Sequence, residues 1–269
     1  MLSLNKDFRE VRSGVQNLQN VGNKMKYKIY GTSVIMMLVV LNNAWAAQSV
    51  EEGYRALRNG DYKTALSILE PLAAQKDTDA QAALASMYYE GLGVPKDEKK
   101  AVVLAQKAAK NENTLALYIL YDAYQFGKGG VKQNDDKAFD CLTLSAEGGY
   151  PQAQLTIAKI FFYDKDYYRS FNWAQIAAKR NVANAFTLIG NHYALGAGVT
   201  QNDAQAAVFY KKAAEMGDAE GQYWLAEMYY TGRGVGKDSI RGRKWMTESA
   251  KQGFSLAENW LREEAKGAK

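Results

Sequence analysis

Apolar positions recur along the chain with helical spacing, and the same arrangement returns about every 36 residues. In four of the five copies a small residue, a leucine or isoleucine, and a tyrosine lie eleven, seven and three positions before a glycine. This spacing predicts a helix with a single apolar face. A fixed period of this length is typical of a solenoid, in which each unit buries its apolar face against its neighbours. The glycines that mark the period are Gly91, Gly127, Gly196 and Gly232.

A polar segment follows each of these glycines and introduces a second helix. Three copies contain Gly-x-Gly-Val, which can end the first helix because glycine adopts positive φ without steric cost. Alanines in the second helix allow the two helices of a hairpin to approach closely. The pattern therefore predicts stacked antiparallel helix pairs. Polar residues at the expected N-cap positions of the second helices are Asp97, Asn134, Asn202 and Asp238.

The domain organisation follows from this period. Residues 47–78 are predicted to form a capping helical hairpin, with Pro71 expected to kink its second helix or end it early. Residues 255–269 are predicted to form a capping helix and tail, with Leu256, Trp260 and Leu261 turned inward. Such caps stop the stack from continuing into another molecule, so we expect a monomer. Between the caps lie five repeats, at residues 79–113, 114–150, 151–182, 183–218 and 219–254.

The block Asp218–Gly253 carries the most complete version of the repeat. It has leucine, tyrosine, Gly-Arg-Gly-Val and a polar N-cap in the expected order, and it departs where Gly221 and Gly242 replace alanines. The pattern resembles the Sel-one-like (Sel1) repeat, a relative of the tetratricopeptide repeat, over residues 48–254. The resemblance implies an all-α, right-handed solenoid of stacked antiparallel helix pairs. It also implies an adaptor that binds other proteins and, in many bacterial members, export.

The N-terminal segment has the features of a secretory signal peptide. The basic stretch Met25–Lys28 precedes 13 uncharged residues, Ile29–Leu41, and Ala44-Trp45-Ala46 offers a cleavage site. The uncharged stretch is short for a membrane span, which takes about 20 residues. We expect removal of residues 1–46 and a periplasmic or secreted product without membrane insertion. Residues 1–24 are either an over-extended gene start, with Met25 as the initiator, or an unusually long leader.

The leader also accounts for most of the basic charge. The chain has a net charge of +5, but residues 1–46 contain six Lys or Arg and only two Asp or Glu. The remaining 28 basic and 27 acidic residues are nearly balanced, so we expect no nucleic-acid partner. One local basic patch remains, and it is either a surface for an acidic protein or phospholipid head groups or an ordinary solvated rim. The patch comprises Arg233, Lys237, Arg241, Arg243 and Lys244.

The residue inventory argues against catalytic and metal chemistry. His192, the single histidine, occupies a repeat position that elsewhere holds methionine, alanine or isoleucine, so we expect it to pack inside its hairpin. One histidine and one cysteine cannot form a His/Cys metal cluster. The chain contains no Walker loop, nucleophile elbow or dinucleotide fingerprint. We therefore expect no catalytic site, metal or cofactor. One branch of the family is rich in cysteine and is often described as β-lactamase-like. Cys141 has no disulfide partner, so we do not carry the β-lactam association over to this chain.

The third repeat breaks the pattern. It lacks the Gly-x-Gly-Val loop and four residues, and seven of the thirteen residues from Phe161 to Trp173 are aromatic. Phe161 fills the tyrosine position and Trp173 is expected to face inward. If the segment is a partner surface, both should be less exposed than Tyr167, Tyr168 and Arg169. Aromatic residues beside an arginine are typical of binding hot spots, and the alternative is that the rings fill the core. The candidate partner-binding residues are Phe162, Tyr163, Tyr167, Tyr168 and Arg169.

These features predict an exported, non-enzymatic repeat protein that binds another protein in the bacterial envelope. By family resemblance, one specific role is immunity against a phospholipase effector of a type VI secretion system. An envelope-assembly adaptor and a secreted host-interaction factor fit equally. One alternative is a peptidoglycan- or glycan-binding protein. A cell-wall or β-lactam hydrolase is a further alternative, although the missing nucleophile–base pair argues against it.

Overall fold

The computed structural model describes residues 49–267, and the only regular secondary structure in that range is helical. The predicted signal peptide, residues 1–46, lies outside the described residues. The chain divides into two compact units at Gly53, and the packing described below concerns the second unit. Helix α1 occupies residues 49–58. The others are α2 Tyr62–Ala74, α3 Thr78–Glu90, α4 Glu98–Ala109, α5 Thr114–Phe126, α6 Asp135–Glu147, α7 Pro151–Tyr163, α8 Tyr167–Lys179, α9 Ala183–Leu195, α10 Asp203–Glu215, α11 Ala219–Thr231, α12 Ser239–Lys251 and α13 Ser255–Gly267.

The helices pack as five antiparallel pairs, each formed by a first and a second helix of one repeat. From α2 onward each helix lies against the next one along the chain. First helices of neighbouring repeats also touch, as α3 does with α5 and α9 with α11. The result is the all-α repeat solenoid that the sequence predicts, with α13 closing its C-terminal end against α12.

The turns within the repeats have the predicted chemistry. The four glycines that end α3, α5, α9 and α11 adopt left-handed φ angles between 64° and 78°. Each of the five second helices then begins with a side-chain cap. Asp97, Asn134, Asp166, Asn202 and Asp238 each accept a hydrogen bond of 2.8–3.0 Å from the backbone N–H three residues later. The helix boundaries are therefore set by local turn residues as well as by packing.

Small residues occupy the points where helices cross. The alanine eleven positions before the helix-ending residue is fully buried in the first four repeats. In the fifth, Gly221 replaces it because Ala213 and Thr187 leave no room for a side chain. Gly242 likewise faces the ring of Tyr230, and a Cβ there would lie 3.0 Å from the ring. Both departures from the repeat pattern therefore compensate for larger neighbours. The four alanines are Ala80, Ala116, Ala153 and Ala185.

The loop of each complete repeat packs on the repeat before it. A Cβ on Gly234 would overlap the carbonyl oxygen of Asp203, at the start of α10, so only glycine permits this approach. The third repeat has no such loop, because residues 164–166 alone join α7 to α8. The four loop glycines Gly93, Gly129, Gly198 and Gly234 lie against Tyr62, Val102, Tyr167 and Asp203 respectively.

Helix α2 does not end early at Pro71, and Leu256 of α13 does not face inward. Helix α2 continues three residues beyond Pro71, because burial of Leu69 and Ala73 on its inner face outweighs the loss of one backbone donor. In α13, Leu256 is 48% exposed rather than turned inward, and Ala257 is the fully buried residue. The inward face of α13 runs through Ala257, Trp260 and Leu261, the spacing of one helical stripe, and leaves Leu256 to one side.

The contact of the loops with the preceding repeat can be tested at two glycines. Gly217 and Gly234 both have positive φ, 89° and 68°, so alanine strains the backbone at either position, by about 1 kcal/mol. Only at Gly234 does the added Cβ meet another part of the chain. We expect Gly234→Ala to lower the free energy of unfolding by at least about 1 kcal/mol more than Gly217→Ala in urea titrations followed by circular dichroism. Equal losses would contradict the packing contact.

Candidate partner-binding surface

The aromatic segment of the third repeat spans the end of α7, a three-residue turn and the start of α8. The turn closes tightly because Lys165 adopts a left-handed φ of 63° and Asp166 caps α8. Asp166 accepts hydrogen bonds from the backbone N–H of Arg169 at 3.0 Å and from its Nε at 2.6 Å. These two bonds lower the pKa of the Asp166 carboxyl group and fix Arg169 over the turn.

Three of the five candidate residues face outward. Tyr163 is 78% exposed and Tyr168 is 75% exposed, and Arg169 is also exposed. The guanidinium carbon of Arg169 lies 4.2 Å from the ring centroid of Phe161, which is buried beneath it. The turn thus presents two tyrosines and an arginine that is held by an ion pair and a cation–π contact.

The other two candidates, Phe162 and Tyr167, are half-buried. Their ring centroids lie 5.6 Å apart, and both rings meet the imidazole of His192 edge-on. Tyr167 and Trp173 are both half-buried. Tyr167 is the residue on which the loop of the fourth repeat packs, through Gly198. The aromatic segment therefore serves the core and the surface at once.

His192 is fully buried, as its repeat position predicted. Its Nδ1 lies 2.6 Å from the carbonyl oxygen of Ala197, which can only accept, so Nδ1 carries the proton. Its Nε2, 2.9 Å from Ser170 Oγ, then accepts from the hydroxyl group. The pair has the spacing of a serine nucleophile and its base, but Ser170 is also fully buried and no substrate can reach its oxygen. The arrangement joins α8 to α9.

Two exposed apolar residues on this surface escaped the sequence analysis. Phe126 and Leu195 end their first helices, at the same repeat position as Tyr163, and all three are more than 60% exposed. Because equivalent positions of stacked repeats lie side by side, the three side chains form an apolar row along the middle of the solenoid. Glu90 and Thr231 take this position in the end repeats. Comparison of the residue before each helix end could have found the row.

Ion pairs occupy much of the predicted basic patch. The three arginines of the patch each have a carboxylate partner, whereas Lys237 and Lys244 make no ion pair with any described residue. The arginines are thus partly neutralised within the chain, which weakens the field that the patch presents to an acidic partner. The pairs are Arg233 with Asp203 at 2.7 Å, Arg241 with Asp238 at 3.1 Å and Arg243 with Glu264 at 3.4 Å.

The described residues offer little reactive chemistry. Within residues 49–267 no three His, Cys, Asp or Glu side chains are grouped so as to hold a metal ion. The thiol of Cys141 is half-buried, and burial raises its pKa, so the reactive thiolate is disfavoured. No helix in this range is both long and apolar enough to cross a membrane.

Comparison with protein families gives a match over most of the repeat region. The Sel1 repeat model matches five stretches, and the third and shortest begins at Phe161, in the repeat that lacks its loop. A curated relative from Schizosaccharomyces pombe, chitin synthase regulatory factor 3, is 27% identical over 221 residues, which cover 78% of this chain and 24% of the relative. The chain spans about a quarter to two fifths of the length of the curated relatives that it matches. The five stretches are residues 78–113, 115–150, 161–182, 187–218 and 219–254.

Solved structures show the same fold. A Sel1 repeat protein from Oxalobacter formigenes is 29% identical with a TM-score of 0.69, over 78% of this chain and 84% of that chain. An immunity protein from Pseudomonas aeruginosa has a TM-score of 0.56 at 18% identity, over 77% of this chain and 82% of that chain. At that identity the likeness concerns the fold alone.

Buried His192 should make the stability of the protein depend on pH. Burial lowers the pKa of His192 below its value of about 6.5 in the unfolded chain, despite the Ala197 carbonyl, so the folded state binds fewer protons. We expect the free energy of unfolding to be unaffected by this group above pH ~6.5 and to fall as the pH drops below it. His192→Met, which copies Met87 and Met228 at the same repeat position, should remove this contribution. Identical pH profiles for the two proteins in urea titrations would contradict it.

Proposed function

The chain belongs to the Sel1 repeat family, and from this we propose that it is an exported, non-enzymatic protein that binds another protein in the bacterial envelope. Sel1 repeat proteins are generally scaffolds for protein interaction rather than enzymes. The observation that carries the proposal is the exposed turn of the third repeat, where Tyr163 and Tyr168 flank a fixed Arg169. Residues of these types dominate the binding energy of protein interfaces.

The position of this turn favours a binding surface over a chance exposure. The turn joins two helices of a stacked array, so its tyrosines lose little freedom when a partner covers them. Tyr163 also continues the apolar row through Phe126 and Leu195, which gives a partner several neighbouring repeats to contact. Exposed apolar side chains on neighbouring repeats are consistent with an interaction site.

The class of partner follows from the envelope location that we propose. The immunity protein of Pseudomonas aeruginosa shares the fold, so the fold is compatible with an immunity role. The relative from Schizosaccharomyces pombe is a regulatory factor for chitin synthase, which is again a role exercised on another protein. We propose a protein partner in the periplasm, with the immunity role as its most specific form. The effector encoded beside such a gene is the first partner to test.

Export can be tested by sequencing the N-terminus of the protein from a periplasmic fraction. The basic start, the apolar stretch and the Ala-x-Ala site lead us to expect a product that begins at Ala47. Replacing Ala44 and Ala46 with bulky residues should block cleavage and serves as the control. A cytosolic product that retains residues before 47 would contradict export.

Partner binding can be tested with the double variant Tyr163→Ala/Tyr168→Ala. Both side chains are exposed, so the variant should keep the helical circular dichroism signal of the wild type. Its affinity for the partner should fall, by about 2 kcal/mol for a true hot spot, measured by calorimetry with the purified effector or periplasmic partner. Leu256→Ala, which removes an exposed apolar side chain outside the third repeat, should leave affinity unchanged.

Two outcomes would count against this surface. Loss of the helical signal in the double variant would mean that the tyrosines belong to the core. Unchanged affinity in a folded variant would place the interface elsewhere. Sedimentation of the wild type with purified peptidoglycan, reduced in the double variant, would instead favour a glycan ligand for the same tyrosines.

A further inference from the structure

The loop missing from the third repeat leaves the start of one second helix uncovered. Among the second helices from α2 to α10, the first turns of α2, α4, α8 and α10 are each covered by the glycine loop of the following repeat. Helix α6 is the exception within this series, because residues 164–166 are too short to form such a loop. The contacts at the covered helices therefore show what a ligand at α6 would have to supply.

The covered helix α10 has a defined ion pair with its loop. Arg233 lies between the two glycines of the loop in the fifth repeat and approaches Asp203, the first residue of α10. Its Nη2 donates to Asp203 Oδ1 at 2.7 Å and its Nε donates to Oδ2 at 3.2 Å. This two-point pairing lowers the pKa of the Asp203 carboxyl group. Glycine at position 234 lets the loop backbone reach the same helical turn.

Helix α6 has the same carboxylate acceptor but no arginine that pairs with it. Asp135 is the first residue of α6 and follows the cap Asn134, as Asp203 follows Asn202 in α10. Its carboxylate is exposed and accepts one long hydrogen bond, 3.4 Å, from Gln133 Nε2. It makes no ion pair with any other residue in the range that the structure describes. Asp135 thus occupies the position at which Asp203 of α10 pairs with an arginine.

The apolar part of the contact is also open at α6. Phe139 occupies the position of Val102 in α4, onto which Gly129 of the next loop packs. Val102 is 2% exposed, whereas Phe139 is 40% exposed and has no loop above it. Its ring meets the edge of Phe161, with the centroids 6.4 Å apart, so it rests on the core of the third repeat. The carboxylate of Asp135 and the exposed ring of Phe139 therefore lie one helical turn apart on α6.

We propose that this gap, formed by Asp135 and Phe139, binds a glycine turn that carries an arginine and belongs to the partner protein. The arginine pairs with Asp135 as Arg233 pairs with Asp203, and the backbone of the turn lies on Phe139. Charge supports a cationic ligand, because Asp136 and Asp140 lie on the same helix and Lys137 is the only basic residue between them. The inference rests on the proposed protein-binding function and specifies the chemistry of the partner.

The chain itself supplies the sequence of a suitable probe. We would titrate the purified protein into a fluorescein-labelled peptide with the sequence of residues 231–237, Thr-Gly-Arg-Gly-Val-Gly-Lys, and measure fluorescence anisotropy. We expect saturable binding that weakens on the order of fivefold with Asp135→Asn, the effect of removing one exposed ion pair. Asp136→Asn, which removes the same charge one residue further on, should change the affinity by less than twofold. A peptide with glutamine in place of arginine should lose the fivefold difference between wild type and Asp135→Asn.

A second variant tests the gap without relying on Asp135. Replacing residues 164–166 with the seven residues 232–238 restores a loop to the third repeat, and this loop should occupy the gap and abolish peptide binding. Circular dichroism shows whether the variant folds, and Phe139→Ala gives an independent measure if it does not. Three results would each overturn the proposal: no saturable binding at millimolar concentration, equal binding by wild type and Asp135→Asn, or unchanged binding by the folded loop-restored variant.

The peptide experiment can fail while the proposed function stands. A partner that binds the wild type, loses affinity for Tyr163→Ala/Tyr168→Ala and ignores Asp135→Asn would remove the gap from the interface and leave protein binding intact. A protein without any partner would remove the proposed function, whatever the peptide does.

Discussion

Close approach between neighbouring helices holds this solenoid together, and it depends on small residues at the points of contact. Buried alanines at one repeat position bring each first helix against its neighbours, and a glycine takes their place where Thr187 and Ala213 need the room. Loop glycines extend the same constraint to the contacts between repeats. The stacking depends on this geometry, because a larger side chain at any of these points would hold two helices apart.

The fold could be predicted from sequence because its determinants are local and repeated. The spacing of apolar residues, the helix-ending glycines and the caps lie within one repeat, and the other copies confirm each of them. The environment of Tyr167 could not be predicted in this way, since the loop that covers it comes from the next repeat and the third repeat breaks the frame. Leu256 was predicted to face inward, but the inner face of α13 runs through Ala257, Trp260 and Leu261 and leaves Leu256 exposed.

For the candidate surface, too, the sequence predicted the local features but not the contacts between distant residues. A run of aromatic residues was evident in the sequence, but its separation into core and surface required the structure. Phe162 and Tyr167 enclose His192, while Tyr163 and Tyr168 leave the turn in other directions. Ser170 and His192 have the spacing of a catalytic serine and its base, but both are fully buried. Solvent exposure is therefore needed to tell such a pair from an active site. Asp135 became informative only when its counterpart Asp203 was seen with an arginine.

The absent loop also affects how the array behaves as a whole. In a repeat protein, cooperativity is transmitted through the interfaces between adjacent units, so a weakened interface divides the array into blocks that unfold more independently. The second and third repeats still share the contact of Phe139 with Phe161 and the hydrogen bond from Gln154 to the Ala146 carbonyl. The joint between the second and third repeats lacks the loop contact found at the others, so we expect the coupling between the first two repeats and the last three to be weakest there. A ligand bound in the gap at α6 would replace the missing loop contact, so the two blocks would unfold more nearly as one unit.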